Sequence, residues 1–375
     1  MQLSTAYSNA CGLKIQRPYI YELFFPFVEE KFITIDTDTN NYDYWSDVIS
    51  LILPYLNKKN ISIFQLGDPQ SAPLPSVNRT NGVLNAGQKS FLLGKTMLHV
   101  SSNNYSSQLA ASLDKKLVCL VKSEKRALPF SWGNSEHCDF IYPESKKFIE
   151  PERLAKIILE KLEIDFKFEY ETLFMGDKYK DGVTFVEMYP SAPVSLQSFN
   201  LQSILVRMDL NFSEQVLAQQ LSLGKAAIYT DRKIDINILR KFSTNITDLI
   251  YEIKEENDVN FCQEVKSLGI PCNLISFLSE EKINSYKLDF MEIGNILPQK
   301  SHSFSDAVGS QKVEMRDLFF KSKKYIMKDG STYLSQESLN KNIKSTNPSD
   351  IQKVLDTDIF WKNLDALTIL KKTID

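Results

Sequence analysis

The sequence predicts an α/β chain with two Rossmann-like parallel-sheet domains and a small C-terminal hairpin/helix extension. Three observations predict it. Apolar runs of strand length alternate with helix-length segments from Phe32 to Tyr286, the order that builds parallel sheets. The alternation restarts after Phe166, and 375 residues at 43% hydrophobic and 24% charged suffice for two ordinary cores. Beyond Lys312 the pattern changes to apolar segments around Asp329-Gly330, a dipeptide suited to the positive φ angles of a tight hairpin turn. The expected division is 1–165, 166–300 and 301–375.

In the first part, CGLKIQRPYIYELFFPF crowds Tyr19, Tyr21, Phe24, Phe25 and Phe27 around two prolines. Such an arm either packs across the domain or an interface, or lines a sugar site by stacking. A strand (Phe32 to Ile35), a helix opening at Tyr42, Tyr44 and Trp45, and a strand ending at Gln65-Leu66-Gly67 follow. Asp68 to Gly87, with Pro69, Pro73, Pro75 and Gly82, is longer than an ordinary connection and has the length of a lid or a base-binding edge. The strand Met97 to Val100 then delivers Ser101, Ser102, Asn103, Asn104, Ser106 and Ser107 to a sheet edge, ahead of a helix carrying Leu109, Ala110, Ala111 and Leu113. Amides at that helix start suit an anion such as a diphosphate, although the same residues also serve as an ordinary cap. A strand (Leu117 to Val121) and a helix opened by Ile149-Glu150-Pro151-Glu152, with apolar Leu154, Ile157, Ile158 and Leu162, close the domain.

In the second part, strands are expected at Leu173 to Gly176, Val183 to Met188, Ser203 to Met208, Ala226 to Tyr229, Asp248 to Glu252 and Cys272 to Ser276. Helices are expected at Phe212 to Leu223, Asn257 to Leu268 and Ser279 to Tyr286, with Asn211 and Glu214 at capping-box spacing. Asp209 follows a strand end, as do Asp36 and Asp38 in the first domain, and a carboxylate there either deprotonates an acceptor hydroxyl or caps the next helix. Asp209 and Asp36 are the catalytic candidates. In the tail, Lys321, Lys323 and Lys324 beside Tyr325 and Tyr333 form either a solvated hairpin face or a contact for a phosphate-bearing acceptor such as nucleic acid. Ile359, Phe360, Trp361, Leu364 and Leu367 have helical spacing.

A net charge of -3, from Lys+Arg 44 against Asp+Glu 47, gives no electrostatic footprint for non-specific nucleic-acid binding. No apolar run approaches the roughly 20 residues needed to span a bilayer, and MQLSTAYSNACG lacks the regions of a signal peptide, so a soluble cytoplasmic protein is expected. Cys11, Cys119, Cys138, Cys262 and Cys272 are scattered, which points to free thiols, and His137-Cys138 alone is too small a cluster for zinc.

With LHVSSNNYSSQLAASLDKKLVCLV and FITIDTDTNNYDYWSDVISLILPYLNKKNISIFQLG in view, residues 15–165 resemble the donor-binding half of glycosyltransferase family 9, the heptosyltransferase-like enzymes of the GT-B fold. Leu109-Ala110-Ala111 and the strand after them match the family. Where it has Asp-Ser-Gly-Pro, one residue and His, this chain has Asn103, Asn104, Tyr105, Ser106 and then Gln108, and Asn40 or Asn41 replaces a usual Lys. Neutral amides there give up the charge assistance that roughly doubles a phosphate hydrogen bond. The donor-like half also comes first, where family enzymes place it second. The resemblance implies two domains facing across a cleft and transfer of a sugar from a nucleotide-sugar to a hydroxyl acceptor. Gly67 and Asp68 would approach the base, and Ser101, Ser102, Asn103, Asn104, Ser106, Ser107 and Gln108 would hold the diphosphate. No metal and no cofactor besides the donor substrate is required. Two alternatives stay open: a catalytically silent scaffold or glycan-binding subunit, and a phage-type glycosyltransferase acting on modified DNA bases.

Overall fold

The computed structural model describes residues 10–12, 19–37, 42–71, 73–102, 104–126, 135–143, 148–180, 185–195, 204–255, 258–299, 301–346, 350–355 and 357–373. The chain forms two compact units, one of Met1–Met175 with Lys180–Gly182 and Lys372–Asp375, the other of Gly176–Tyr179 and Val183–Lys371.

The first unit holds a parallel sheet of β1 (Phe32–Asp36), β2 (Ser62–Leu66), β3 (Asn78–Arg79), β4 (His99–Ser102), β5 (Leu117–Leu120) and β6 (Cys138–Ile141). All five residues of β1 are buried, as expected of a central parallel strand covered on both faces. The helix Tyr42–Lys58 supplies one cover, burying Trp45, Val48, Ile49, Ile52 and Leu56 at helical spacing. A helix absent from the sequence reading, Ala86–Lys95, lies after the long connection and is opened by a reciprocal Asn85–Gln88 capping box. The helix Tyr105–Ser112 opens with the same device, from Asn104 and Ser107. Pro151 starts the helix Pro151–Lys161, where its missing N–H costs nothing, and β7 (Tyr170–Met175) ends the main segment of the unit.

Strand order decides where a site can lie. It reads β3-β2-β1-β4-β5-β6, so the chain builds outward from β1, returns across it to β4 and builds the other way. The carboxyl ends of β1 and β4 therefore flank a topological switch point, the crevice in which open α/β sheets bind ligands.

The second unit runs β8 (Phe185–Met188), β9 (Leu205–Arg207), β10 (Ala226–Thr230), β11 (Ile246–Glu252), β12 (Cys272–Ser276) and β13 (Ile296–Pro298) side by side, parallel and in chain order. β14 (Leu318–Ser322) pairs antiparallel with a late strand described below. The segment expected as a separate extension is part of this unit. β15 (Lys324–Lys328) adds to β8, and β16 (Ser331–Tyr333) folds back on it through Asp329 and Gly330 at φ 47 and 72, the tight turn the sequence predicts.

Two expectations are corrected. Ser213, not Asn211, caps the helix Glu214–Leu223, with Ser213 Oγ accepting from the Val216 amide at 3.4 Å, while Asn211 Nδ2 donates to the Pro190 carbonyl at 2.6 Å. At the C-terminus the helical spacing yields one α-helical turn, Asp358–Trp361, and one 3-10 turn, Leu364–Ala366. β17 (Gln352–Lys353) pairs with β14, and β18 (Leu367–Lys372), which takes up Leu367 from the expected helix, is the strand antiparallel to β14. Tertiary pairing overrides the local period there, since the alternative would leave the β14 backbone unpaired beside buried Phe320 and Phe360.

Among the described residues all five cysteines are free, and no helix is long and apolar enough to cross a membrane.

Candidate functional site

The switch point of the first unit contains a cavity of about 660 Å³. Its walls come from the ends of four strands: Asp36 and Thr37 after β1, Gly67 and Asp68 after β2, Asn104 to Ser106 after β4, and Lys122 after β5. Lys89, on the helix Ala86–Lys95, completes the rim. Two carboxylates, Asp36 and Asp68, and two ammonium groups, Lys89 and Lys122, therefore line one cavity.

Gly67 makes the close approach of β1 and β2 possible. Its φ is +113, and a Cβ there would sit 2.6 Å from Asp36 Oδ1, so any side chain would displace the carboxylate. Its carbonyl accepts from Lys89 Nζ at 3.4 Å, which aims the ammonium at the strand end. Asp68 is exposed, and its Oδ1 accepts from the Gln70 amide at 2.8 Å, shaping the loop that follows.

The β4 edge is held from below. Asn104 Oδ1 accepts from the Ser107 amide at 3.1 Å and from Ser106 Oγ at 2.7 Å. Ser107 Oγ accepts from the Asn104 amide at 3.0 Å and donates to the Asn104 carbonyl at 2.7 Å. Beneath Ser106 lies His99, fully buried, its Nε2 3.0 Å from Ser106 Oγ and its Nδ1 2.9 Å from Thr34 Oγ1. Since the Ser106 hydroxyl proton is given to Asn104, Nε2 carries the ring proton and donates to Ser106 Oγ, while Nδ1 lies against the Thr34 hydroxyl. Burial drives the His99 pKa down to about 3, so the ring is neutral and works as a strut.

The sequence-predicted site residues divide accordingly. The catalytic candidate Asp36 and the donor-binding candidates Gly67, Asp68, Asn104 and Ser106 line the cavity. Ser107 is buried in the capping box, and Ser101 is buried with an Oγ that has no partner among the described residues. Ser102 is half-buried beneath the turn, its carbonyl accepting from the Asn104 amide at 2.8 Å. Gln108 is exposed one turn along the helix, beside a different cavity. Asn103, Asp38, Asn40 and Asn41 lie outside the described residues. Sequence reading missed Lys89, Lys122, Tyr105 and His99. Only the chain position of Lys122, directly after a predicted strand, carried a usable signal.

In the second unit, Asp209 is held by a fork. Arg207 Nε donates to Asp209 Oδ1 at 2.8 Å and Nη2 donates to Oδ2 at 2.7 Å. The buried guanidinium also pairs with Glu187 through Nη1 and lies over the Tyr229 ring at 4.9 Å. Lys324 joins from β15, 3.6 Å from Glu187 and 3.2 Å from Asn363 Oδ1. Lys323 is buried too, over the Tyr179 ring at 5.9 Å. The lysine cluster at 321–324 is therefore not a fully solvated basic face: two of its three cations are committed inside the unit.

Among the described residues, no three His, Cys, Asp or Glu side chains converge as a metal site. No protein-family model and no curated protein matches the chain. Solved structures similar to it include ADP-heptose LPS heptosyltransferase II of E. coli, at 13% identity over 42% of this chain and a TM-score of 0.28. This chain covers 50% of that structure's length. A glycosyl transferase family 9 protein of Veillonella parvula is similar at 11% identity over 76% of this chain and 93% of its own, with a TM-score of 0.26.

Proposed function

We propose that this chain is a glycosyltransferase that takes the nucleotide part of a nucleotide-sugar into the cavity at the β1/β4 switch point and passes the sugar to a hydroxyl acceptor. The observation that carries the reading is the coincidence of the 3-2-1-4-5-6 strand order with a cavity of about 660 Å³, lined by acidic, basic and apolar side chains, at its point of reversal. Lys89 and Lys122 supply positive charge for a diphosphate, assisted by the amide end of the helix Tyr105–Ser112. As the glycosidic bond to the diphosphate breaks, negative charge grows on the leaving oxygen, and preplaced cations and amides stabilise it without a metal. Asp36 borders the same space and is the carboxylate we assign to a sugar or acceptor hydroxyl. Asp209 has both oxygens held by Arg207, which makes it the weaker candidate.

The test incubates the protein with ADP-, UDP-, GDP- and CDP-sugars and follows release of the nucleoside diphosphate. One base is expected to support slow release that Asp36→Asn abolishes while nucleotide binding persists. Binding without release from any donor would favour the catalytically silent reading. Neither binding nor release at millimolar donor would remove the proposal.

A further inference from the structure

A second cavity, of about 370 Å³, adjoins the first, and Tyr105 and Leu109 line both. Its outer wall is the aromatic arm. Along that arm Ile20, Phe25 and Phe27 pack on the core that contains Phe32 and Phe64. Phe24 and Phe27 meet Phe91 edge-on at 5.4 and 6.2 Å, and the Leu23 amide donates to the Gly87 carbonyl at 3.0 Å. The arm is thus docked along the helix Ala86–Lys95. The helix is cut to receive it: a Cβ at Gly87 would lie 3.1 Å from two atoms of the Tyr21 ring and 3.0 Å from Leu23 Cβ. Glycine at a helical position costs about 1 kcal/mol relative to alanine, and here the missing side chain is the space the ring fills.

The arm's inward residues account for its anchoring, yet Tyr19, Tyr21 and Tyr105 stand 91%, 63% and 64% exposed around the cavity mouth. Gln108 lines the same space, and its side-chain amide makes no hydrogen bond among the described residues. Flat rings with polar tips and one uncommitted amide suit a ligand that has an apolar C–H face and a rim of hydroxyls, which is the character of a pyranose. We infer that this tyrosine-walled cavity is a carbohydrate subsite, placed so that a bound glycan abuts whatever occupies the switch-point cavity across Tyr105 and Leu109. Its role as the acceptor position rests on the nucleotide-sugar reading; the binding of carbohydrate does not.

The experiment is saturation-transfer NMR on the full chain without nucleotide. The probes are methyl glycosides and trisaccharides of glucose, galactose, mannose and N-acetylglucosamine, and nucleoside diphosphates are titrated separately. At least one glycan is expected to take saturation at its ring C–H protons. Tyr19→Ala and Gln108→Ala, at exposed positions outside the switch-point cavity, are expected to weaken it about tenfold while nucleotide affinity stays within about twofold. No transfer to any probe at millimolar concentration, or transfer undiminished in Tyr19→Ala, overturns the inference. Nucleotide binding without glycan binding would remove the subsite alone; glycan binding lost in Tyr19→Ala, without nucleotide binding, would remove the donor reading alone.

Discussion

Replacing His99 with glutamine tests whether the floor of the site is a neutral buried strut. The ring is fully buried between Thr34 and Ser106, and burial holds its pKa near 3 against an ordinary 6.5. Between those values the unfolded chain binds a proton that the folded protein refuses. The folded state is therefore fully stable above pH 6.5 with respect to this group, and it loses stability as the pH falls toward 3. Each pH unit inside the window is worth about 1.4 kcal/mol, so a drop from 6.5 to 4.5 costs the wild type about 2 to 3 kcal/mol. Glutamine cannot titrate. At pH 7.5 His99→Gln should be less stable by about 1–3 kcal/mol, the cost of disturbed buried hydrogen bonds. In urea melts the gap should narrow or reverse at pH 4.5. A gap that stays constant between the two pH values, or a His99 ring that titrates near 6.5 by NMR, would refute the reasoning.

Gly67→Ala should destabilise the first unit by about 1–3 kcal/mol in thermal melts and weaken nucleotide binding, because the new Cβ strains the backbone at φ +113 and meets Asp36. Arg207→Met should cost about 3–5 kcal/mol in urea unfolding by removing the guanidinium that pairs buried Glu187 and half-buried Asp209, leaving Glu187 with Lys324 alone, and Glu187→Met in the same chain should restore part of it. Glu152 has an Oε2 with no partner among the described residues, and burial raises its pKa. The charged form is disfavoured in the folded state, so Glu152→Gln should stabilise at pH 8, and the gain should shrink as the pH falls through the raised folded pKa and the wild type takes up its proton.

The local units were legible because their signals are local. Alternating apolar runs place β1, β2, β4 and β5 within a few residues, Asp329-Gly330 sets the hairpin, and the Ser/Asn run marks the opening of the helix at Tyr105. Strand order was not legible, since β1 pairs with residues near 62 and near 99 and nothing in either segment names its partner. Lys89 stayed hidden with it: its helix follows a connection rich in proline and glycine, and its charge matters only once β2 ends beside it. His99 read as an isolated histidine because Thr34, its partner, is 65 residues away. Asp209 read as a strand-end acid, a base or a helix cap, but it is occupied by a fork from Arg207, only two residues before it. In the tail, the apolar residues have helical spacing, and the edge of β14 claims Leu367–Lys372 as a strand instead.

The most direct measurement is a calorimetric titration of ADP, UDP, GDP and CDP into the wild-type protein and into Lys122→Glu. Lys122 is exposed, so the variant should keep its fold while reversing one of the charges that line the cavity. One nucleotide is expected to bind the wild type, and about tenfold or more weaker binding is expected in Lys122→Glu, as a reversed charge near a diphosphate demands. Binding of equal strength in both proteins, or no binding of any nucleotide at millimolar concentration, would contradict the assignment of the switch-point cavity.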